Sequence, residues 1–175
     1  MRRFTPVTTG IATLAILLTV PLAAQERADD SNRRSKNGLA EGSVGGASVT
    51  ITYGRPKVNS RTVWGELEPY GAVWRAGADE ATTITFSSDV TVEGTAVPKG
   101  TYGLFFIPNE GEWTVILNKV ATQWGAFRYD QGQDLMRAAV KPMAADHMEE
   151  LTYEVSGDGI ELRWEKLAVP VRIGG

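Results

Sequence analysis

Val97 to Lys119 reads VPKGTYGLFFIPNEGEWTVILNK, and the fold follows from this stretch. Pro98, Lys99 and Gly100 make a turn, because proline presets one central dihedral and glycine relieves another. From Thr101 to Ile107, Tyr102, Leu104 and Phe106 alternate with Gly103, Phe105 and Ile107. Both sides of that run are apolar, so it reads as a central strand covered on both faces. Pro108 to Gly111 turns the chain again. Trp113 to Asn118 is also apolar on both sides and should return as the second arm of a hairpin.

The same period of two recurs on either side. Val49, Ile51 and Tyr53 alternate with Ser48, Thr50 and Thr52, and Thr82, Ile84 and Phe86 alternate with Thr83 and Thr85. Short strands are expected at Val90 to Val92, Leu135 to Lys141 and Leu151 to Val155, with a helical turn at Met143 to Glu150. Gly157-Asp158-Gly159 is a hairpin turn. After it, Ile160, Leu162 and Trp164 alternate with Glu161, Arg163 and Glu165, and Val169, Val171 and Ile173 form the last strand. About nine or ten short strands at hairpin spacing, with no long helix, predict an antiparallel β-sandwich carrying helical turns only. A jelly roll is one way of ordering such strands. The sandwich is expected over residues 47–173.

Composition narrows the chemistry. The net charge is −3 and the cations are scattered, which argues against a nucleic-acid partner. There is no cysteine and a single histidine, so disulfides, thiolate or multi-histidine metal sites and a cysteine nucleophile are excluded. Neither a metal nor a cofactor is called for. No phosphate loop, dinucleotide fingerprint, EF-hand loop or nucleophile elbow is present.

Met1 to Ala24 has the form of a cleaved signal peptide: Arg2 and Arg3, an apolar run from Ile11 to Val20, then Pro21-Leu22-Ala23-Ala24. The apolar run is shorter than the roughly 20 residues that span a bilayer, so a periplasmic or extracellular protein with no membrane span is expected. Gln25 to Gly46 carries only Leu39 and Val44 as sizeable apolar side chains and reads as a disordered linker that folding does not need.

Candidate site residues gather in two neighbouring stretches. Tyr70 to Thr82 reads YGAVWRAGADEAT, and Tyr53 to Trp64 contributes Arg55, Arg61 and Trp64. Arg55, Arg61, Arg75 and Glu80 suit an anion clamp, since each guanidinium offers a planar fork to a carboxylate or phosphate. They equally suit a structural network in which Glu80 neutralises Arg75, with Gly77 turning the chain between them. Trp64, Tyr70, Trp74, Trp124 and Tyr129 suit a groove where a sugar ring stacks, or a packed core.

Over residues 52–86, TYGRPKVNSRTVWGELEPYGAVWRAGADEATTITF resembles the bacterial domain-of-unknown-function family 2911, supported by VPKGTYGLFFIP, EWTVILNK and QWGAFRYD. The resemblance implies an exported, mostly β domain and supplies no catalytic residue. Asp79 stands where the family pattern has asparagine.

Three functions are compatible with these residues. One is a non-enzymatic binding module for a carbohydrate or other small polar ligand. The second is a hydrolase pairing Glu80 with another carboxylate. The third is a purely structural or interaction domain.

Overall fold

The computed structural model describes residues 27–175, so the signal-peptide reading lies outside the described residues. Two antiparallel sheets pack face to face, the sandwich that the alternation predicts. The strands are β1 (Lys36–Val44), β2 (Ala47–Arg55), β3 (Thr82–Phe86), β4 (Val90–Val92), β5 (Thr95–Val97), β6 (Gly100–Ile107), β7 (Trp113–Asn118), β8 (Asp134–Val140), β9 (Met143–Ser156) and β10 (Gly159–Gly174). One sheet has the order β1-β2-β3-β6-β7-β8 and the other β5-β4-β10-β9. The large sheet is a meander interrupted once, where the β4–β5 hairpin joins the opposite sheet, so the order is not the double Greek key of a jelly roll.

The hairpin of β6 and β7 forms as its pattern requires, with Phe105 opposite Ile116 and Phe106 opposite Val115. Leu104, Phe106, Val115 and Leu117 face the sandwich interior. Phe105 and Ile116 face outward but are fully buried, because Val73, Ala126 and Tyr129 of two loops cover them. Both faces of this hairpin are therefore dry, which explains its doubly apolar sequence.

Three expectations change. Gln25 to Gly46 is not a linker where it is described. Lys36 to Val44 forms β1, paired in unbroken register with β2 from Lys36 opposite Arg55 to Val44 opposite Ala47. Gly45 and Gly46 both have positive φ, 56° and 87°, the geometry of a two-residue hairpin loop. Apolar content hid this strand because its inward residues before Val44 (Gly38, Ala40 and Gly42) are small. A Cβ at Gly38 would come within 2.5 Å of the Tyr53 ring, and one at Gly42 within 2.7 Å of Val155. The strand contributes close approach rather than bulk, letting β2 and β9 side chains fill the space.

Met143 to Glu150 is extended, not helical. It is the start of β9, an edge strand whose partner is β10. The expected strands at Ile160 and Val169 are one continuous β10, which pairs with β9 along its first part and with β4 at Ile173. The pairing with β9 shifts register on both sides of Glu165, a bulge that re-aims that residue. A single 3₁₀ turn, Gln131–Gln133, precedes β8.

Between the sheets sits a cluster of four tryptophans. Trp113 comes from β7, Trp164 from β10, and Trp64 and Trp74 from the long connection between β2 and β3. The Trp64 ring lies 4.7, 5.5 and 5.6 Å from those of Trp113, Trp164 and Trp74, each edge-on. Trp74 and Trp164 stack at 5.9 Å.

Removing β1 should therefore damage the fold. A chain starting at Gly46 is expected to melt about 10 °C or more below the longer protein, the shift that a loss of several kcal/mol produces at this size. Thermal melts followed by circular dichroism measure it. A difference of only a few degrees would show that β1 adds nothing.

Candidate functional site

The connection from Pro56 to Ala81 carries most of the candidate residues and is tied down by backbone bonds. The Trp74 N–H donates to the Phe106 carbonyl at 2.7 Å and the Phe106 N–H donates back at 3.0 Å. The Gly65 N–H donates to the Glu68 carbonyl at 3.0 Å, closing a tight loop that places Trp64 and Tyr70 side by side. Tyr70 packs over Gly65, where a Cβ would come within 2.9 Å of its ring.

This loop borders a groove made of two adjoining hollows. One, of about 540 Å³, is bounded by Trp64, Tyr70, Trp113, the Asn109 to Glu112 turn, Lys141 and Glu165. The other, of about 450 Å³, is bounded by Ser60 to Trp64, Tyr70 and Glu165. Trp64, Tyr70 and Glu165 belong to both. Three candidates from the sequence, Arg61, Trp64 and Tyr70, are thus brought together here. Tyr70 is 41 % exposed, while Trp64 is half-buried and borders both hollows.

Glu165 was missed in the sequence. Alternation placed it on the outer face of a regular strand, like Glu161 and Arg163. The bulge gives it φ of 56°, an uncommon conformation for a glutamate. Such strain is held only where the surroundings enforce it, and here it directs a carboxylate into the saddle between the hollows. Its Oε2 accepts from the Lys166 backbone N–H at 2.7 Å. No pattern in the sequence signals this bulge.

The remaining candidates serve elsewhere. Arg55 pairs with Glu150 at 2.9 Å. Trp74 is buried in the tryptophan cluster. Tyr129 is a pin: its hydroxyl donates to Asp134 at 2.6 Å while Arg137 donates to it, and burial together with that carboxylate pushes the phenol up to about 12. Trp124 is 56 % exposed, with the Arg33 guanidinium 5.9 Å from its ring centroid.

Arg75 and Glu80 do not pair. Ala76 and Asp79 both take positive φ, 55° and 63°, and these turns part the two side chains. Gly77 is needed for close approach rather than for turning, since a Cβ there would lie 2.8 Å from the Thr82 hydroxyl and 3.0 Å from the Gly54 carbonyl. Aspartate and asparagine both tolerate the Asp79 conformation, so the departure from the family pattern is sterically mild.

Glu80 is clasped instead by two arginines from the segment preceding β1. Arg33 forks onto both carboxylate oxygens, one at 2.7 Å. Arg27 reaches Oε2 at 3.0 Å and donates to the Ala78 carbonyl at 2.7 Å and the Glu80 carbonyl at 3.1 Å. The Arg33 hydrogen bonds outweigh burial and hold the Glu80 carboxyl down to about 2.

Glu68 behaves in the opposite way. Burial pushes its carboxyl up to about 7, against the pull of the Arg75 charge and, more weakly, of Arg61. The Trp74 indole N–H favours the charged form yet completes no hydrogen bond, and Arg75 Nε is likewise buried without a partner.

Among the described residues, no group of three or more His, Cys, Asp or Glu is gathered tightly enough to hold a metal ion, and no helix is long and apolar enough to cross a membrane.

The strands and their charged loops define an all-β sandwich domain with a groove at one end of the tryptophan cluster. The model of the family described as a protein of unknown function (DUF2911) matches residues 35–173, and the chain belongs to that family. The match begins at the foot of β1, in keeping with that strand being part of the domain. Neither the curated proteins nor the solved structures yielded a match.

Two predictions follow from the carboxylates. Glu80→Gln should destabilise by about 3 kcal/mol, because it leaves the partly buried Arg27 guanidinium uncompensated. Arg27→Met should cost less, since Arg33 still neutralises Glu80, and the double variant should lose less than the sum of the two single effects. Additive effects in denaturant titrations would refute the clasp.

The second concerns pH. Glu80 has a lowered folded pKa, so its stabilisation is present above its ordinary value of 4.5 and fades as pH falls toward about 2. Glu68 has a raised one. The native state then holds the extra proton between 4.5 and about 7, and stability falls as pH rises through that window. Glu68→Gln should raise the melting temperature at pH 8 and leave it unchanged near pH 4. Equal effects at both pH values would show that Glu68 titrates normally.

Proposed function

We propose that this is an exported, non-enzymatic binding module that holds a small polar ligand, of the size of a sugar, in the groove beside Trp64 and Tyr70. The observation that carries this reading is the shared boundary of the two hollows: an aromatic pair and a carboxylate held in a strained backbone conformation. Binding sites combine apolar walls with a few placed polar groups, and about 300–1,000 Å³ is their usual volume. Both hollows fall in that range. Tyrosine and tryptophan rings can stack on a sugar ring. Glu165 offers an acceptor, and Arg61, whose Nε and Nη2 already donate to the Val58 and Lys57 carbonyls, keeps Nη1 as a donor. The basic leader followed by a short apolar run supports export.

The hydrolase alternative finds Glu80 already committed to two arginines. Glu80 is clamped by two arginines and ionised down to about pH 2, which unsuits it for proton donation at neutral pH. For Arg55, Glu80 and Tyr129, partners already in place favour a structural role.

A thermal-shift screen against sugars, polyols, amino acids and amines tests the proposal, since a ligand of the native state raises its melting point. Hits should quench or shift tryptophan fluorescence through Trp64. Tyr70→Ala, at a side chain outside the buried core, should lower the melting temperature of the free protein little and weaken those hits at least about tenfold. Ligands whose affinity is indifferent to Tyr70→Ala and Glu165→Gln would move the site away from this groove.

A further inference from the structure

We propose that the ligand presents an organic cation, an alkylammonium or quaternary ammonium group, to the larger hollow. The inference rests on the groove being the binding site and adds the charge of what enters it.

Glu110, Glu112 and Glu165 border this hollow against a single cation, Lys141. Glu110 and Glu112 make no ion pair among the described residues, and Glu165 lies 3.9 Å from the exposed ammonium of Lys166. Glu110 and Glu112 are therefore uncommitted and Glu165 is held only by its neighbour Lys166, unlike Glu80 and Glu150, which are each held by two basic side chains. An anion would enter against an excess of negative charge, which discards the sequence-based anion clamp for this part of the groove.

The walls are aromatic. Trp64 and Tyr70 flank the opening and Trp113 forms the buried floor, its N–H already donated to the Asn109 carbonyl at 2.8 Å. Aromatic faces carry partial negative charge and attract cations, by about 0.5–1 kcal/mol when exposed and 2 or more when desolvated. Aromatic faces with carboxylates at the rim favour a cation that is large, weakly hydrated and partly apolar.

A metal ion is the rival cation, and the geometry disfavours it. Calcium needs six to eight oxygens at about 2.3–2.6 Å, and magnesium a still tighter octahedron. The carboxylates here are not gathered to that degree. They stand around a space of about 540 Å³, matched to a group with methyl or methylene substituents.

The test uses choline and its neutral isostere 3,3-dimethylbutan-1-ol, read by isothermal titration calorimetry and tryptophan fluorescence on the exported protein. Choline should bind at least about tenfold more tightly than the isostere, the factor a cation–aromatic contact with carboxylate support provides. Its affinity should fall with added salt. Glu112→Gln, at an exposed position, and Glu165→Gln should each weaken choline several-fold and leave isostere binding unchanged. Equal affinity for the two probes overturns the proposal. So does failure of choline to bind while a neutral sugar binds in a Tyr70-dependent way, and in that case the groove reading stands. If the ligands found by the screen are all indifferent to Tyr70→Ala, the groove reading falls and this inference with it.

Discussion

The packing of four indoles between the sheets is the constraint on which the rest depends. Trp113 and Trp164 come from opposite sheets, and Trp64 and Trp74 arrive on a connection that leaves β2 and returns to β3. Without the latter two, the sandwich would be open where the connection crosses it. Each ring sits within 6.5 Å of at least two others, nearly all edge-on, the arrangement that aromatic quadrupoles favour. Such pairs add about 0.5–1.5 kcal/mol each beyond the area they bury. The cluster also carries an opposing cost. Trp113 has a partner for its N–H, but those of Trp64, Trp74 and Trp164 are buried without one. Unsatisfied donors cost about 1–3 kcal/mol apiece. The packing must exceed that, and close contact among rings is what lets it.

The groove is the outer rim of this cluster. Trp64 touches the other three rings and also borders both hollows, so any ligand resting on it rests on the core. This gives the site rigidity that a surface loop alone would lack. It also makes fluorescence a direct reporter, because a perturbed Trp64 is coupled to the rings beneath it.

What was legible in the sequence was the part governed by side-chain alternation. β2, β6, β7 and the first half of β10 repeat every two residues, and each forms as read. β1 escaped because its inward positions before Val44 are Gly38, Ala40 and Gly42, and small residues leave no hydrophobic signal even where they are essential to close packing. Glu165 escaped because a bulge reverses the side on which a residue falls, and bulges are set by how two strands fit rather than by either strand alone. The Arg75–Glu80 pair was expected from nearness in sequence. Two left-handed residues between them undo that nearness, and the true partners, Arg27 and Arg33, come from about 50 residues upstream. Long-range pairing of this kind has no local signature.

The two kinds of charged site in this protein obey one rule with opposite results. Where Glu80 meets Arg27 and Arg33, charge is matched by charge at short distance and its surroundings are partly dry. That arrangement fixes a segment in place and lowers the carboxyl's pKa, and it leaves nothing to offer a ligand. Around the larger hollow, Glu110, Glu112 and Glu165 stand beside aromatic side chains, with Lys141 on the same wall and Lys166 3.9 Å from Glu165 to offset them. Holding like charges near one another is unfavourable in the empty protein, though water and salt screen much of it. The cost is relieved when a cation enters and displaces that water. Uncommitted charge at a concave aromatic surface is thus free energy available to binding, whereas the same number of charges in the clasp has already been spent on folding.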